Sequence, residues 1–135
     1  MAQITALVTQ ISSNSITKKQ DQPLNVRVNY TYQGPANSGR FGAVVTQETV
    51  YQEFDEIGST RKEVYINLPE SLTPRNLYTT IPGLPLSGCE PKAGYGIKVY
   101  ALDLDGKPEW GCKNVLTVQG VVPVAELAVT GLFLS

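Results

Sequence analysis

The chain contains no histidine. That absence removes the most frequent general base, the most frequent zinc ligand and the side chain that titrates near neutral pH. Neither a Ser-His-Asp nor a Cys-His nucleophile can be built from it. Charge is sparse as well. Only 17% of residues are charged, and 11 basic against 12 acidic residues leave a net charge of −1. With no long-range field of either sign, nucleic acid and anionic membrane are not expected partners. No run of about 20 apolar residues occurs, so no membrane insertion is expected. The stretch Met1 to Leu7 has no basic residue ahead of it, and the first cations are Lys18 and Lys19. It does not read as a signal peptide. If the N-terminus is native, the expected location is the cytoplasm or an assembled particle.

Cysteine is nearly absent: Cys89 and Cys112 are the two in the chain. Were Asp105-Gly106 the centre of a hairpin, Cys112 would face Val99, and Cys89 lies ten residues before Val99. At about 3.3 Å per extended residue the separation is roughly 30 Å, whereas a disulfide needs Cα atoms within about 7 Å. Only a sharp fold-back of residues 85–93 would bring them together. Two free thiols are the expectation, and they fit a reducing compartment. Without histidine or further cysteines nearby, no zinc site is expected.

What is present is punctuation and alternation. Twelve glycines and nine prolines are spread along 135 residues, which suits many short strands joined by turns. The clearest strand is Leu24 to Tyr32, with Leu24, Val26, Val28, Tyr30 and Tyr32 on one face and Asn25, Arg27, Asn29 and Thr31 on the other. That is the pattern of a half-buried antiparallel strand. Further strands are expected at Ile4 to Ile11, at Phe41 to Gln47 with a continuation to Tyr51, at Lys62 to Leu68, and at Asn76 to Ile81. Glu53 to Ser59 reads as an acidic loop, and Pro69 and Pro74 bracket a turn. A hairpin is expected from Tyr95 to Gln119, because Asp105-Gly106 can supply the positive φ angles of a tight turn. Seven or eight strands with no helix point to a sandwich or small barrel.

Ile81-Pro82-Gly83-Leu84, then Gly94 to Asp103, then Asp105-Gly106, resemble the last three strands of fibronectin type III and related immunoglobulin-like domains. In such domains a tyrosine opens the penultimate strand and its hydroxyl ties down the preceding corner. The resemblance gives that role to Tyr95. The chain departs from the pattern in a long loop before Tyr95 and in the second strand, which lacks a tryptophan; the sole Trp110 lies beyond the hairpin tip. The implied fold is an all-β, antiparallel immunoglobulin-like sandwich, with residues 1–120 as the sandwich and 121–135 as an apolar extra strand or assembly segment. Such a fold implies no function by itself.

Several residues carry candidate chemistry. Asp103-Leu104-Asp105-Gly106 resembles part of a calcium loop, but such a loop needs more carboxylates at fixed spacing, and a hairpin turn explains both aspartates and the glycine. Glu48, Glu53, Asp55 and Glu56 form the densest acidic patch. Paired carboxylates can hydrolyse glycosides, but that chemistry needs a cleft and one raised pKa. Asn29-Tyr30-Thr31 matches a glycosylation sequon in mid-strand and carries no weight. Tyr30, Tyr32 and Tyr95 fall on core-facing positions. Tyr65, Tyr100 and Leu102 fall on outward positions, and Trp110 lies near a hairpin tip. These four form a candidate contact surface, since exposed aromatics can bind sugar rings or another protein. Ordinary strand-favouring surface residues are the plainer reading.

The C-terminal stretch Val121 to Ser135 carries one charge, Glu126. Such a segment must find burial somewhere. It can add to its own sheet, add to a neighbour's sheet edge, or begin another domain. Val124, Leu127, Val129, Leu132 and Phe133 are the candidate assembly residues. The expected function is a non-catalytic module without metal or cofactor. It works by contact as a structural, self-assembling or protein-recognition subunit, and its partner is protein, including a second copy of itself. A carbohydrate-binding module using the exposed aromatics is the alternative.

Overall fold

The computed structural model describes residues 3–9, 16–48, 54–103 and 109–121. Alternation sets the architecture. Along β3 (Leu24–Gly34), Leu24, Val26, Val28, Tyr30 and Tyr32 are buried, while Asn25 and Arg27 are exposed. In β5 (Phe54–Leu68), Ile66 and Leu68 are buried, Val64 is half-buried, and Glu63, Tyr65 and Asn67 face solvent. In β7 (Lys92–Leu102), Tyr95, Ile97, Val99 and Ala101 enter the core. A pleated strand sends successive side chains to opposite faces, so each such row closes one side of a core.

The remaining strands are β1 (Gln3–Thr9), β2 (Ile16–Lys19), β4 (Asn37–Glu48), β6 (Ser71–Leu84) and β8 (Glu109–Gln119). They form an all-β sandwich of two sheets, ordered β1-β3-β6 and β2-β8-β7-β4-β5. Every pairing is antiparallel except β2 with β8, which is parallel. The two sheets meet through their inward rows. Tyr30 of the three-stranded sheet and Phe41 of the five-stranded sheet pack edge to face, with ring centroids 4.8 Å apart at 75°.

Several expectations need correction. Glu53 to Ser59 is not a loop from residue 54 onward: Phe54, Asp55, Glu56 and Ile57 pair with Glu48, Gln47, Thr46 and Val45. The hairpin continues because Val45 and Ile57 pair across it. The extra residues are absorbed in a bulge between Ala43 and Val45, where the register shifts. Buried Thr60 holds that bulge: its hydroxyl accepts from Val45 N at 2.8 Å and donates to Ile57 O at 2.7 Å. Pro74 does not end a turn but lies within β6, in a register shift opposite Tyr32 to Gly34. β6 is the edge of its sheet, where a proline removes no needed ladder donor. Ile16–Lys19 is a strand the alternation did not reveal. Four residues are too few for a pattern, and its place is set by β8.

The final hairpin has a different register from the one expected. Cys112 faces Ile97, not Val99, and Val99 faces Trp110. A slip of two residues keeps every side chain on its own face, so the alternation cannot detect it. Cys89 is free and buried. The side chains of Trp110 and Cys112, and residues 122–135 with the assembly candidates Val124, Leu127, Val129, Leu132 and Phe133, lie outside the described residues.

Tyr95 ties the corner before β7. Its hydroxyl donates to Glu90 O at 2.7 Å, and the ring is fully buried. Removing the hydroxyl leaves a backbone acceptor without its partner. Tyr95→Phe should therefore cost about 1 kcal/mol and lower the melting temperature by a few degrees, read by thermal unfolding followed by circular dichroism.

Candidate contact surfaces

The two outer faces of the sandwich differ in chemistry. On the five-stranded sheet the outward positions of β4, β5, β7 and β8 carry charges that pair with one another. Arg40 bonds Asp103 at 2.7 Å and Glu63 at 3.2 Å. Glu56 sits between Lys98, at 3.1 Å, and Arg61. Lys98 also reaches Glu109 at 3.3 Å. These contacts bring together residues from four strands that the sequence separates by up to about 70 positions.

Tyr100 lies at the centre of this face. Gly42 is its cross-strand neighbour, and the absent side chain leaves the space that the Tyr100 ring fills. The Arg61 guanidinium lies 5.0 Å from the ring centroid, and the Tyr100 hydroxyl bonds Glu63 Oε2 at 3.1 Å. Burial pushes the phenol's pKa up, with the Arg61 hydrogen bond opposing and Glu63 adding. Tyr100 is thus outward-pointing, as its position in the alternation requires, but only 8% exposed. It belongs to a packed surface cluster and presents no open ring.

Tyr65, by contrast, is 85% exposed. It stands on β5, which among the described residues pairs only with β4 and forms the edge of the five-stranded sheet. Leu102 is half-buried at the end of β7. The four residues of the sequence-derived contact surface therefore do not share one environment. Tyr65 is open, Leu102 is partly covered, Tyr100 is covered, and the Trp110 side chain lies outside the described residues. In the candidate calcium loop, the Asp103 carboxylate is engaged by Arg40. Among the described residues no three His, Cys, Asp or Glu side chains are grouped to hold a metal ion. Cys89 is packed into the core, and burial pushes its thiol's pKa up, with Lys92 opposing.

The outer face of the three-stranded sheet carries no signal in the sequence pattern of a single strand. Arg27, Asn29 and Thr31 of β3 stand beside Thr80, Tyr78 and Asn76 of β6. Tyr78 is 65% exposed, and the Arg27 guanidinium lies 4.3 Å from its ring centroid. Thr31 donates to Asn76 Oδ1 at 3.0 Å. Arg27, Asn29, Thr31, Asn76 and Tyr78 line a shallow groove of about 390 Å3. The alternation that placed Tyr65 outward places Tyr78 outward too, in the strand expected at Asn76 to Ile81. What it could not show is that Arg27, 51 positions away, caps that ring.

The Glu56 cluster makes stability pH-dependent in a defined direction. The Lys98 hydrogen bond holds the Glu56 carboxylate below its ordinary value of 4.5, burial opposes, and Arg61 reinforces. A group whose folded pKa is depressed contributes stability that is present above its unfolded value and lost as pH falls through the folded one. Unfolding free energy should thus fall below about pH 4.5. Because the pair is near the surface, the Glu56 share should stay under about 1 kcal/mol. Urea midpoints of wild type and Glu56→Gln should converge as pH drops through this window.

No protein-family model matches the chain, and a search of curated proteins finds no match.

Proposed function

We propose that this chain is a non-catalytic, immunoglobulin-like module that works by contact, as a structural, self-assembling or protein-recognition subunit. The immunoglobulin-like reading is supported by strand grouping. In such domains strands A, B and E share one sheet and C, F and G the other. Here β1, β3 and β6 lie together, as do β4, β7 and β8. The Tyr95 bond to Glu90 O supports it further, since a tyrosine at the start of the penultimate strand makes this bond in that fold.

The observation that carries the functional reading is the open edge of β5. Its outer backbone groups have no strand partner among the described residues, and Tyr65 stands beside them. An unpaired edge is a template for an added strand, and the sequence supplies one in the nearly uncharged segment from Val121 to Ser135. Donated from a second copy, that segment would bury its Leu127, Val129, Leu132 and Phe133 and pair the edge in one step.

Solution mass tests this. Light scattering should give a defined oligomer for the whole chain and a folded monomer for a version ending at Gly120. Leu132→Asp with Phe133→Asp in the full-length chain should also give the monomer. Identical masses for all three would sink the self-assembly reading.

A further inference from the structure

We propose that the outer face of the three-stranded sheet is a binding site for an acidic oligosaccharide, with one sugar ring stacked on Tyr78 and the carboxylate of an adjacent residue held by Arg27. This goes beyond the contact-module reading and does not depend on the C-terminal segment.

The first argument is geometric. Tyr78 is 65% exposed although Arg27 lies against one face of its ring. Exposure that high requires the opposite ring face to be open to solvent. An open aromatic face is apolar but carries a negative π surface, and it suits the C–H-rich face of a pyranose. The groove beside it, about 390 Å3, falls at the lower end of small-ligand sites.

The second argument is hydrogen-bonding capacity. Among the described residues the Asn29 amide and the Tyr78 hydroxyl make no hydrogen bond within the protein. The Thr31 hydroxyl donates to Asn76 Oδ1, which orients that amide and turns its NH2 into the available donor. Donors and acceptors therefore line the groove at successive outward positions, roughly 7 Å apart along each strand. That spacing matches a ligand dense in hydroxyl groups. A protein anchor would want a deep apolar pocket instead, and this groove is shallow.

Charge selects among sugars. On the opposite sheet Arg40, Arg61 and Lys98 are each matched to a carboxylate. Arg27 has no carboxylate partner among the described residues, and the outward residues of β3 and β6 around it are Asn25, Asn29, Thr31, Asn76, Tyr78 and Thr80. A guanidinium without an acid partner, held in place by a ring, presents a fixed fork to a carboxylate. An oligomer of uronic acids supplies both, the ring face from one residue and the carboxylate from the next.

The test is a two-dimensional NMR titration of the full chain with tetragalacturonate, its methyl ester, and acidic tetrasaccharides cut from alginate and hyaluronan. A tetraglutamate peptide serves as the competing acidic ligand. At least one acidic tetrasaccharide should shift the amide signals of Arg27, Asn29, Asn76 and Tyr78. Tyr78→Ala and Arg27→Gln should each weaken binding about tenfold, the loss of a stacked ring or an ion pair of about 1.4 kcal/mol. Both substitutions are at exposed positions, and an otherwise unchanged spectrum confirms the fold. Asn29→Ala should weaken binding by a smaller factor and provides an independent variant. Failure of every acidic sugar to bind, binding of the peptide alone, shifts confined to other faces, or unchanged affinity in Arg27→Gln would each overturn the proposal. None of these outcomes changes the mass measurement that tests self-assembly.

Discussion

Phe41→Ala is expected to lower the unfolding free energy by about 3–5 kcal/mol, the range for emptying a fully buried aromatic site. Phe41 has no exposed surface, and its ring is the edge-to-face partner of Tyr30 across the two sheets. Its strand neighbours are Val64 on one side and Ala101 on the other. Ala101 is too small to fill the space, and the backbones of three paired strands cannot collapse into it. The cavity term is therefore retained in full. Since a domain of this size has a total stability of about 5–15 kcal/mol, the variant should be visibly marginal. The urea midpoint should drop while the slope stays constant, which marks a change in stability without a change in the exposed surface. A loss under about 1 kcal/mol would mean that the inter-sheet contact is not where the core is anchored.

Gly42→Ala should cost about 1–3 kcal/mol, the usual range for overpacking. A β-carbon at position 42 would fall 2.5 Å from Tyr100 Cε2 and closer still to the ring's Cζ and hydroxyl. The ring must then swing away, giving up its hydrogen bond to Glu63 and its contact with Arg61. A double-mutant cycle separates this cause from any other. With Tyr100→Ala already present the clash is gone. Alanine at 42 should then be neutral or stabilising, because glycine within a strand is worse than alanine by about 0.5–1 kcal/mol. If the cost of Gly42→Ala is the same in both backgrounds, the ring is not what occupies that space.

Legibility in the sequence followed the period of two. The core rows of β3, β5 and β7 and the buried tyrosines 30, 32 and 95 could be read directly, since alternation is a property of one strand. Tyr95 could also be given its corner role by resemblance, and its hydroxyl makes the bond that role requires. Tyr65 stands in solvent, as its outward position in the alternation requires. Tyr100, on an equally outward position, is covered, because coverage comes from Gly42, Arg61 and Glu63 on neighbouring strands. The groove at Tyr78 is invisible to alternation for the same reason: its cation arrives from a strand 51 positions earlier.

The sequence by itself therefore determined the fold class and which side of β3, β5 and β7 faces the core, because both depend on local alternation and turn residues. The tertiary structure decided which strands become neighbours, in what register, and where bulges absorb the excess. The two-residue slip that places Cys112 opposite Ile97 shows why. It leaves every residue on its original face, so no single-strand pattern can distinguish the two registers. The same long-range pairing decided the chemistry of the two surfaces. On one sheet Arg40, Arg61 and Lys98 meet carboxylates, while Arg27 on the other meets an aromatic ring and, among the described residues, no acid, since a cross-strand neighbour is chosen by the assembled sheet and not by the strand that carries the residue.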